Sequence, residues 1–474
     1  MNKLNSHAQF LPLRDRIVGI DQKVPLLDGS MQPYINLDNA ASTPVLREVL
    51  DTVNQFMTWY SSVHRGSGFK SRVATQAYED ARSIVARFVG ANPDDHIVIF
   101  GKNTSEAINK LSYRLPLGPD DIVLVSQMEH HSNDLPWRAR AQVVHINVDA
   151  MGRLDTAHFE ELLAKHAGRI RLVAITGGSN VTGYIPDIHG LAIKAHAAGA
   201  QILVDCAQLA PHRCVDMGHL ADPAHLDYVT VSAHKMYAPF GTGALIARRD
   251  TFEQGEPEYC GGGTIDFVSL DNVTWADAPD RDEAGTPNVV GAVALAAAIN
   301  ALSDIGMDRI ASHETELTTY ALDSMAKING LQIYGDADPL RAARRLGVIA
   351  FNLTQHTHAL VAAILGTEFG IGVRNGCFCA HPYLINLLGM RQDDVESVRS
   401  GMAAGDRSAM PGMVRASFGM YNSIADINAL THALHKISRG HFNGCYLEDR
   451  SSGEYTADGW APNLVHHFTL SHNP

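Results

Sequence analysis

The nine residues Val231-Ser-Ala-His-Lys-Met-Tyr-Ala-Pro239 read as the end of a strand that delivers one amine, Lys235, into a crowded polar turn. Thirty residues upstream, Gln201-Ile-Leu-Val-Asp-Cys-Ala-Gln208 reads as a short apolar strand ending in a carboxylate, Asp205. Taken singly, Lys235 has the ordinary reading of a surface lysine and Asp205 that of a helix N-cap. Together, with Ser232 and His234 flanking the lysine, they are the two groups that pyridoxal 5′-phosphate (PLP) chemistry asks of a protein. An amine forms an imine with the aldehyde, and a carboxylate keeps the pyridine nitrogen protonated so that the ring accepts electrons.

Other stretches add to this pair. Gly101-Lys-Asn-Thr104-Ser105-Glu106 opens a helix expected over Ala107–Leu115. Its hydroxyls, free backbone N–H groups and helix dipole suit a phosphate, and the same residues suit a capping box with Asn103 or Thr104 as N-cap. In Met128-Glu-His130-His131-Ser-Asn133, a strand-end histidine is placed to stack on a heteroaromatic ring or move a proton. A zinc ligand and a plain polar loop are its alternatives. No matched Cys/His set accompanies it, so no metal site is expected. In Arg374-Asn-Gly-Cys377-Phe-Cys379-Ala-His381-Pro382, an arginine in a turn suits a carboxylate. Five residues on, Cys379 precedes a helix whose dipole favours a thiolate. The plain readings are a surface ion pair and two incidental thiols. Arg415, in Met413-Val-Arg-Ala-Ser417, is either a second carboxylate clamp or a domain-interface ion pair.

Elements able to position these groups are visible in the pattern. From about Tyr34 to Ala278, short Val/Ile/Leu runs alternate with helical segments: His96–Phe100, Asp121–Ser126, Gln142–Asn147, Ile170–Thr176, Ile202–Asp205 and Tyr228–Val231. Such runs predict an α/β fold with a mostly parallel sheet covered on both faces, whose active groups gather at the carboxyl ends of its strands. After Pro287 the pattern predicts a smaller α+β domain. The expected divisions are 1–33, a segment returning to the small domain; 34–288, the large domain; 289–440, the small domain; and 441–474, a polar, aromatic extension.

With 474 residues, 45% of them hydrophobic and 19% charged, the chain reads as globular. A net charge of −13 argues against nucleic-acid binding through phosphate neutralisation. The longest apolar stretch, Val289–Leu302, is too short to span a bilayer, so no membrane association is expected. Six cysteines in this length form no disulfide framework, and with no signal peptide visible a reducing cytoplasm is the expected setting.

These motifs, with Leu37-Asp-Asn-Ala-Ala41, Val63-His64-Arg-Gly66, Ser179-Asn-Val-Thr-Gly183 and Glu283-Ala-Gly-Thr-Pro-Asn288, resemble the class V aminotransferase-like, fold-type I PLP enzymes. Within them the chain is similar to the cysteine desulfurase/selenocysteine lyase branch of the SufS kind, from about Ile35 to Leu434. The resemblance implies a seven-stranded large-domain sheet and a role for each matched position. Lys235 would be the Schiff-base lysine, Asp205 the pyridinium partner and His130 the stacking, catalytic histidine. Gln208 would bond the phenolic oxygen, and Thr104, Ser105, Ser232 and His234 the phosphate. Thr286 would reach the phosphate of a neighbouring subunit, implying a homodimer with shared sites. Asn180, Arg374, Arg415 and His64 would bind substrate, and Cys379 would accept sulfur. Where that branch usually reads Arg-Thr-Gly-His-His-Cys, this chain carries Asn375, Cys377 and Phe378, and Gly177-Gly178 replaces a bulkier pair. The implied activity is desulfuration of L-cysteine, giving a persulfide on Cys379 and alanine, with a protein as a possible sulfur acceptor. The alternatives are another class V aminotransferase, epimerase or lyase, and a catalytically silent PLP-fold scaffold.

Overall fold

The computed structural model describes residues 13–64, 66–253 and 255–470. Arg65 of the Val63–Gly66 motif, the first twelve residues of the amino-terminal segment and the last four of the extension lie outside the described residues. Seven strands form the principal sheet: β1 (His96–Gly101), β2 (Ile122–Ser126), β3 (Gln142–Ile146), β4 (Ile170–Thr176), β5 (Gln201–Asp205), β6 (Tyr228–Ser232) and β7 (Gly243–Arg248), in the order β1-β7-β6-β5-β4-β2-β3. Only β7 runs antiparallel to its neighbours β1 and β6; the other pairings are parallel. The apolar runs are continuous because both faces are covered. Ile97, Ile99, Val123, Leu172 and Leu203 pack with Trp137 and Phe252 on one side. Val98, Phe100, Leu124, Val173 and Ile202 join the core on the other.

That second face is closed by the helix Val289–Ile305, apolar on nearly every side and packed against the helices Arg47–Met57 and Phe69–Phe88. Among the described residues no single helix is long and apolar enough to cross a membrane. A second, wholly antiparallel sheet is ordered Leu331–Tyr334 (β8), Val348–Leu353 (β9), Met413–Ser417 (β11) and Arg374–Gly376 (β10). It has its own core around Phe351, Ile364, Val414 and Leu434. Leu37 enters that core, and Ile35–Asn36 pair with Ile371–Gly372.

One buried carboxylate ties the two layers. Glu314, on the helix Met307–Met325, accepts from Arg213 and His212 on the large-sheet side and from the Gly347 N–H (2.8 Å) on the other. Burial alone would raise its pKa; His212 and Arg213 overcome that and hold it at about 2. The extension beyond Gly440 forms a hairpin, Tyr446–Asp449 with Glu454–Ala457, which packs on the helix His358–Phe369.

Candidate active site

Parallel strands put their carboxyl ends on one edge, and a cavity of ≈ 560 Å³ opens there between the two sheets. Its wall includes Thr104, Ser105, His130, Asn180, Asp205, Gln208, Ser232, His234, Lys235, Arg374, Cys379 and Arg415. The first loop around it is an N-terminal helix cap. Helix Thr104–Arg114 begins at Asn103, whose side chain accepts from the Glu106 N–H at 3.0 Å. The helix therefore starts earlier than expected, with Thr104 as its first residue. Ser232 Oγ accepts from the Thr104 N–H and lies 2.9 Å from Thr104 Oγ1. Ser105 Oγ lies 2.5 Å from Ser132 Oγ. Gly243 allows this approach: a Cβ there would stand 2.6 Å from Asn103 Cα. Capping and a hydroxyl cluster of a kind suited to an anion thus coexist at one helix end.

Lys235 sits in the 3-10 turn Ala233–Lys235 that follows β6. The turn is fixed from below: the His234 carbonyl accepts from the Thr43 N–H (2.9 Å), and the Tyr237 N–H donates to Thr43 Oγ1 (2.7 Å). Tyr237 holds a left-handed φ of 63°, a conformation that persists only where its surroundings over-determine it. Desolvation lowers the Lys235 pKa to about 8 against the opposing pull of Asp205, with Arg415 lowering and Cys379 raising it further. Asp205 is buried and raised by desolvation; the Ala207 N–H, donating at 2.9 Å, and Lys235 pull it back. Burial, reinforced by Lys235, keeps His130 and His234 neutral, each with a pKa of about 4. His130 Nδ1 lies 2.9 Å from Ser132 Oγ, so Ser132 links it to Ser105.

The far wall comes from the smaller layer. Arg415 is buried, donating to the Asn180 carbonyl (3.0 Å) and to Asp38 (2.9 Å), with its guanidinium 4.8 Å from the Phe378 ring. Arg374 is exposed, its Nε 3.6 Å from the same Asp38. Asn180 donates to the Phe378 carbonyl at 2.7 Å, and the Cys379 carbonyl accepts from the His131 N–H at 2.7 Å. Phe378 and Cys379 are both left-handed, φ 53° and 54°. Cys379 is exposed and Cys377 buried, the latter pushed up to about 11 by desolvation. Cys377 Sγ donates to the Pro411 carbonyl at 2.9 Å.

Two expected site residues lie elsewhere. His64 and Thr286 line a separate cleft of ≈ 640 Å³ with Gly263 and Pro287. Glu283 anchors that loop, accepting from Tyr78, from Arg82 and from the Phe100 N–H of β1. Sequence reasoning did not single out Asp38, Ser132 or Glu129. All three lie inside the Leu37–Ala41 and Met128–Asn133 motifs, but the partners that give them a place in the site, Arg415, Ser105 and the Thr176 N–H, come from other segments. Glu129 is fully enclosed, accepts from Ser126, Asn133 and the Thr176 N–H, and is raised to about 8 by desolvation.

Gln208 donates to the Ala40 carbonyl (2.6 Å) while its Oε1 is buried with no hydrogen-bond partner among the described residues. A phenolic O–H would satisfy that acceptor. A phosphate would suit the hydroxyls at Thr104, Ser105 and Ser232, and an aldehyde the amine of Lys235. The residues present therefore fit PLP.

Comparison with known proteins agrees. Residues 35–430 match the family model for aminotransferase class-V. A cysteine desulfurase of Haloferax volcanii is 35% identical over 434 residues, covering 89% of this chain and 94% of that protein. One from Dickeya dadantii is 37% identical over 427 residues, 88% and 95% of the two chains. The chain belongs to the class-V aminotransferase family, in its cysteine desulfurase branch. Among solved structures, the Escherichia coli cysteine desulfurase CsdA superposes with a TM-score of 0.74 at 30% identity, over 93% of this chain and all of that one. The cysteine desulfurase of Thermococcus onnurineus NA1 gives 0.74 at 31%, over 93% and 99%. The seven-stranded sheet of this class-V enzyme is thus its family's fold.

Proposed function

We propose that this enzyme uses PLP to remove sulfur from L-cysteine, leaving the sulfur as a persulfide on Cys379 and releasing alanine. The observation that carries the reading is the single cavity lined by Lys235, Asp205, Arg415 and Cys379 together. The names of the relatives support the same substrate.

When bound, the cofactor supplies an electron sink conjugated to the substrate α-carbon. The residues of the chain do the rest. Asp205, shielded from water, would hold the pyridine nitrogen protonated, and neutral His130 would cover a ring face. Thr104, Ser105, Ser232 and His234 would bind the phosphate, and Gln208 the phenolic oxygen. Lys235 Nζ would hold the cofactor, then take the substrate α-proton; desolvation suits it to this near neutral pH. Asn180 and Arg374 would fix the substrate carboxylate, with Arg415 supporting them. Cys379 Sγ would attack the substrate sulfur: the S–S bond forms, the Cβ–S bond breaks, and its electron pair passes to the carbon skeleton, which takes up protons to become alanine.

The reading extends to assembly. Thr286 and His64, on an exposed cleft apart from the cavity, would serve the site of a second copy. The nearby hairpin Ile265–Trp275, with exposed Phe267, Val268 and Leu270, offers the apolar surface such a partner covers. Exposed Cys379 would pass its sulfur to a protein acceptor.

Purified enzyme supplied with PLP and L-cysteine is expected to form alanine and a persulfide located at Cys379 by mass analysis. Cys379→Ser is expected to abolish both while keeping the cofactor. Undiminished alanine formation by that variant would remove the thiol from the reaction.

A further inference from the structure

The carboxyl-terminal hairpin lies beyond the residues matched by the family model, yet it reaches the loop that carries the reactive thiol. Its root is pinned to the end of the helix His358–Phe369: Tyr446 Oη lies 2.7 Å from Thr367 Oγ1 and donates to Glu368 (3.0 Å), and the Gly444 N–H donates to Glu368 at 2.8 Å. Its tip is seated on the segment 406–411. The Arg407 N–H donates to the Arg450 carbonyl at 2.8 Å, and Arg450 pairs with Asp406. Gly453 approaches so closely that a Cβ there would stand 2.7 Å from the Arg407 carbonyl oxygen, at a φ of +75°. Its edge presents Glu454, whose two oxygens accept from Asn375 Nδ2 at 3.3 and 3.4 Å.

Two of these three anchorages, Asn375 and the segment 406–411, belong to walls of the active cavity. Asn375 and Met410 line it beside Cys377 and Cys379, and the Pro411 carbonyl holds the Cys377 thiol. Phe378 and Cys379, consecutive non-glycine residues in the left-handed region, require a loop restrained at both ends. On the downstream side the restraints are Asn180 and His131, which bind the carbonyls of Phe378 and Cys379. On the upstream side they are the pairing of Arg374–Gly376 with Met413–Ser417, Glu454 on the Asn375 side chain, and the hairpin-braced Pro411 on Cys377.

We propose that the carboxyl-terminal hairpin is a positioning element for the thiol loop, with Glu454 as its contact residue. It rests on the desulfurase reading only for the consequence on turnover; the restraint on Cys379 stands apart from any substrate. Glu454 touches no reacting atom. It acts through Asn375, which follows the carboxylate-binding Arg374 and begins the run to Cys379.

The test uses the full-length holoenzyme carrying Glu454→Ala or Glu454→Gln. The rate of Cys379 alkylation by iodoacetamide, located by mass analysis, is measured beside kcat, KM and cofactor absorbance. Losing one exposed hydrogen bond is expected to accelerate alkylation in Glu454→Ala about two- to tenfold and lower kcat by a similar factor, with KM and cofactor content unchanged. Glu454→Gln, whose amide oxygen still accepts from Asn375, is expected to behave as the parent enzyme. Wild-type alkylation in Glu454→Ala, equal losses in both variants, or loss of cofactor in step with kcat would each overturn the proposal. If no enzyme form turns over L-cysteine, the alkylation ratio still decides it, and only the desulfurase reading falls.

Discussion

Two buried carboxylates sit on neighbouring strands of one sheet and at opposite edges of it: Asp205 ends β5, and Asp227 immediately precedes β6. Asp227 is saturated by the protein. Its Oδ2 accepts from the Ile202 N–H (2.8 Å) and faces His196 Nε2 (2.9 Å), while Oδ1 faces His225 Nε2 (3.3 Å) and accepts from Arg248 (3.2 Å). The two imidazoles stack 4.1 Å apart, and their Nδ1 atoms lie against the Pro223 and Asp222 carbonyls. Despite burial, these partners hold Asp227 well below the carboxylate range. Asp205 is also buried but, among the described residues, accepts only from the Ala207 N–H, and burial raises it. A histidine–carboxylate set such as His196, His225 and Asp227 has ligand atoms within 4.8 Å of one another, yet each nitrogen already has a partner. The difference between the edges is one of satisfaction: the Asp227 charge is answered by the chain, and the Asp205 charge is left open, as the proposed cofactor role requires.

The largest expected effect lies at the open edge. Lys235→Ala is expected to lower alanine formation by about 10⁴-fold, the upper end of what one acid–base group contributes, and to leave no borohydride-trapped cofactor on the chain. An adduct on another lysine would show that the open edge is not where the amine acts. Next come the two carboxylates compared directly. Asp227→Asn removes the charge that His196 and Arg248 face, although Arg248 keeps Asp250, and is expected to cost about 2–3 kcal/mol in urea unfolding. Asp205→Asn keeps an oxygen for the Ala207 N–H and is expected to cost the cofactor-free protein no more than about 1 kcal/mol. Equal losses would erase the distinction between the edges.

The open edge was the more legible in the sequence. Lys235 and Asp205 stood out because a charged residue ending a short apolar run has few structural explanations, and a parallel sheet brings strand ends together wherever they fall in the chain. Strand β7 was not separately read: Gly243-Ala-Leu-Ile-Ala-Arg lacks the β-branched density of its neighbours. Asp38 lies in the Leu37–Ala41 motif, but its pairing with Arg374 and Arg415 depends on the small sheet folding back across more than three hundred residues. The carboxyl-terminal extension reads as a polar, aromatic segment with turn signals, able to cover the site or a dimer surface, and its hairpin escapes the pattern because its docking is written in single contacts such as Glu454 with Asn375 rather than in periodicity. The cluster around Asp227 draws on the end of one helix, two strands and a loop, and no local pattern announces such a set.

The two edges should also titrate in opposite senses, the smallest of these effects. A hydrogen bond donated to Asp227 raises the pKa of His196 above its ordinary value, so the stability this pair contributes is fully present below the unfolded value of about 6.5 and is lost as pH rises through the higher folded value. Burial lowers His130 to about 4. The folded protein therefore resists a proton that the unfolded chain accepts, and stability falls as pH drops from about 6.5 toward 4. Urea unfolding at about pH 5, 6.5 and 8.5 separates the two. The difference between the parent protein and Asp227→Asn is expected to shrink by about 1 kcal/mol or less between the last two values, since the partly exposed His196 is screened by solvent. Replacing His130 with Asn is expected to flatten only the fall below pH 6.5. A parent-to-variant difference for Asp227→Asn that grows with rising pH would mean that His196 is not held protonated by its carboxylate, and that the closed edge is satisfied by neutral hydrogen bonds instead.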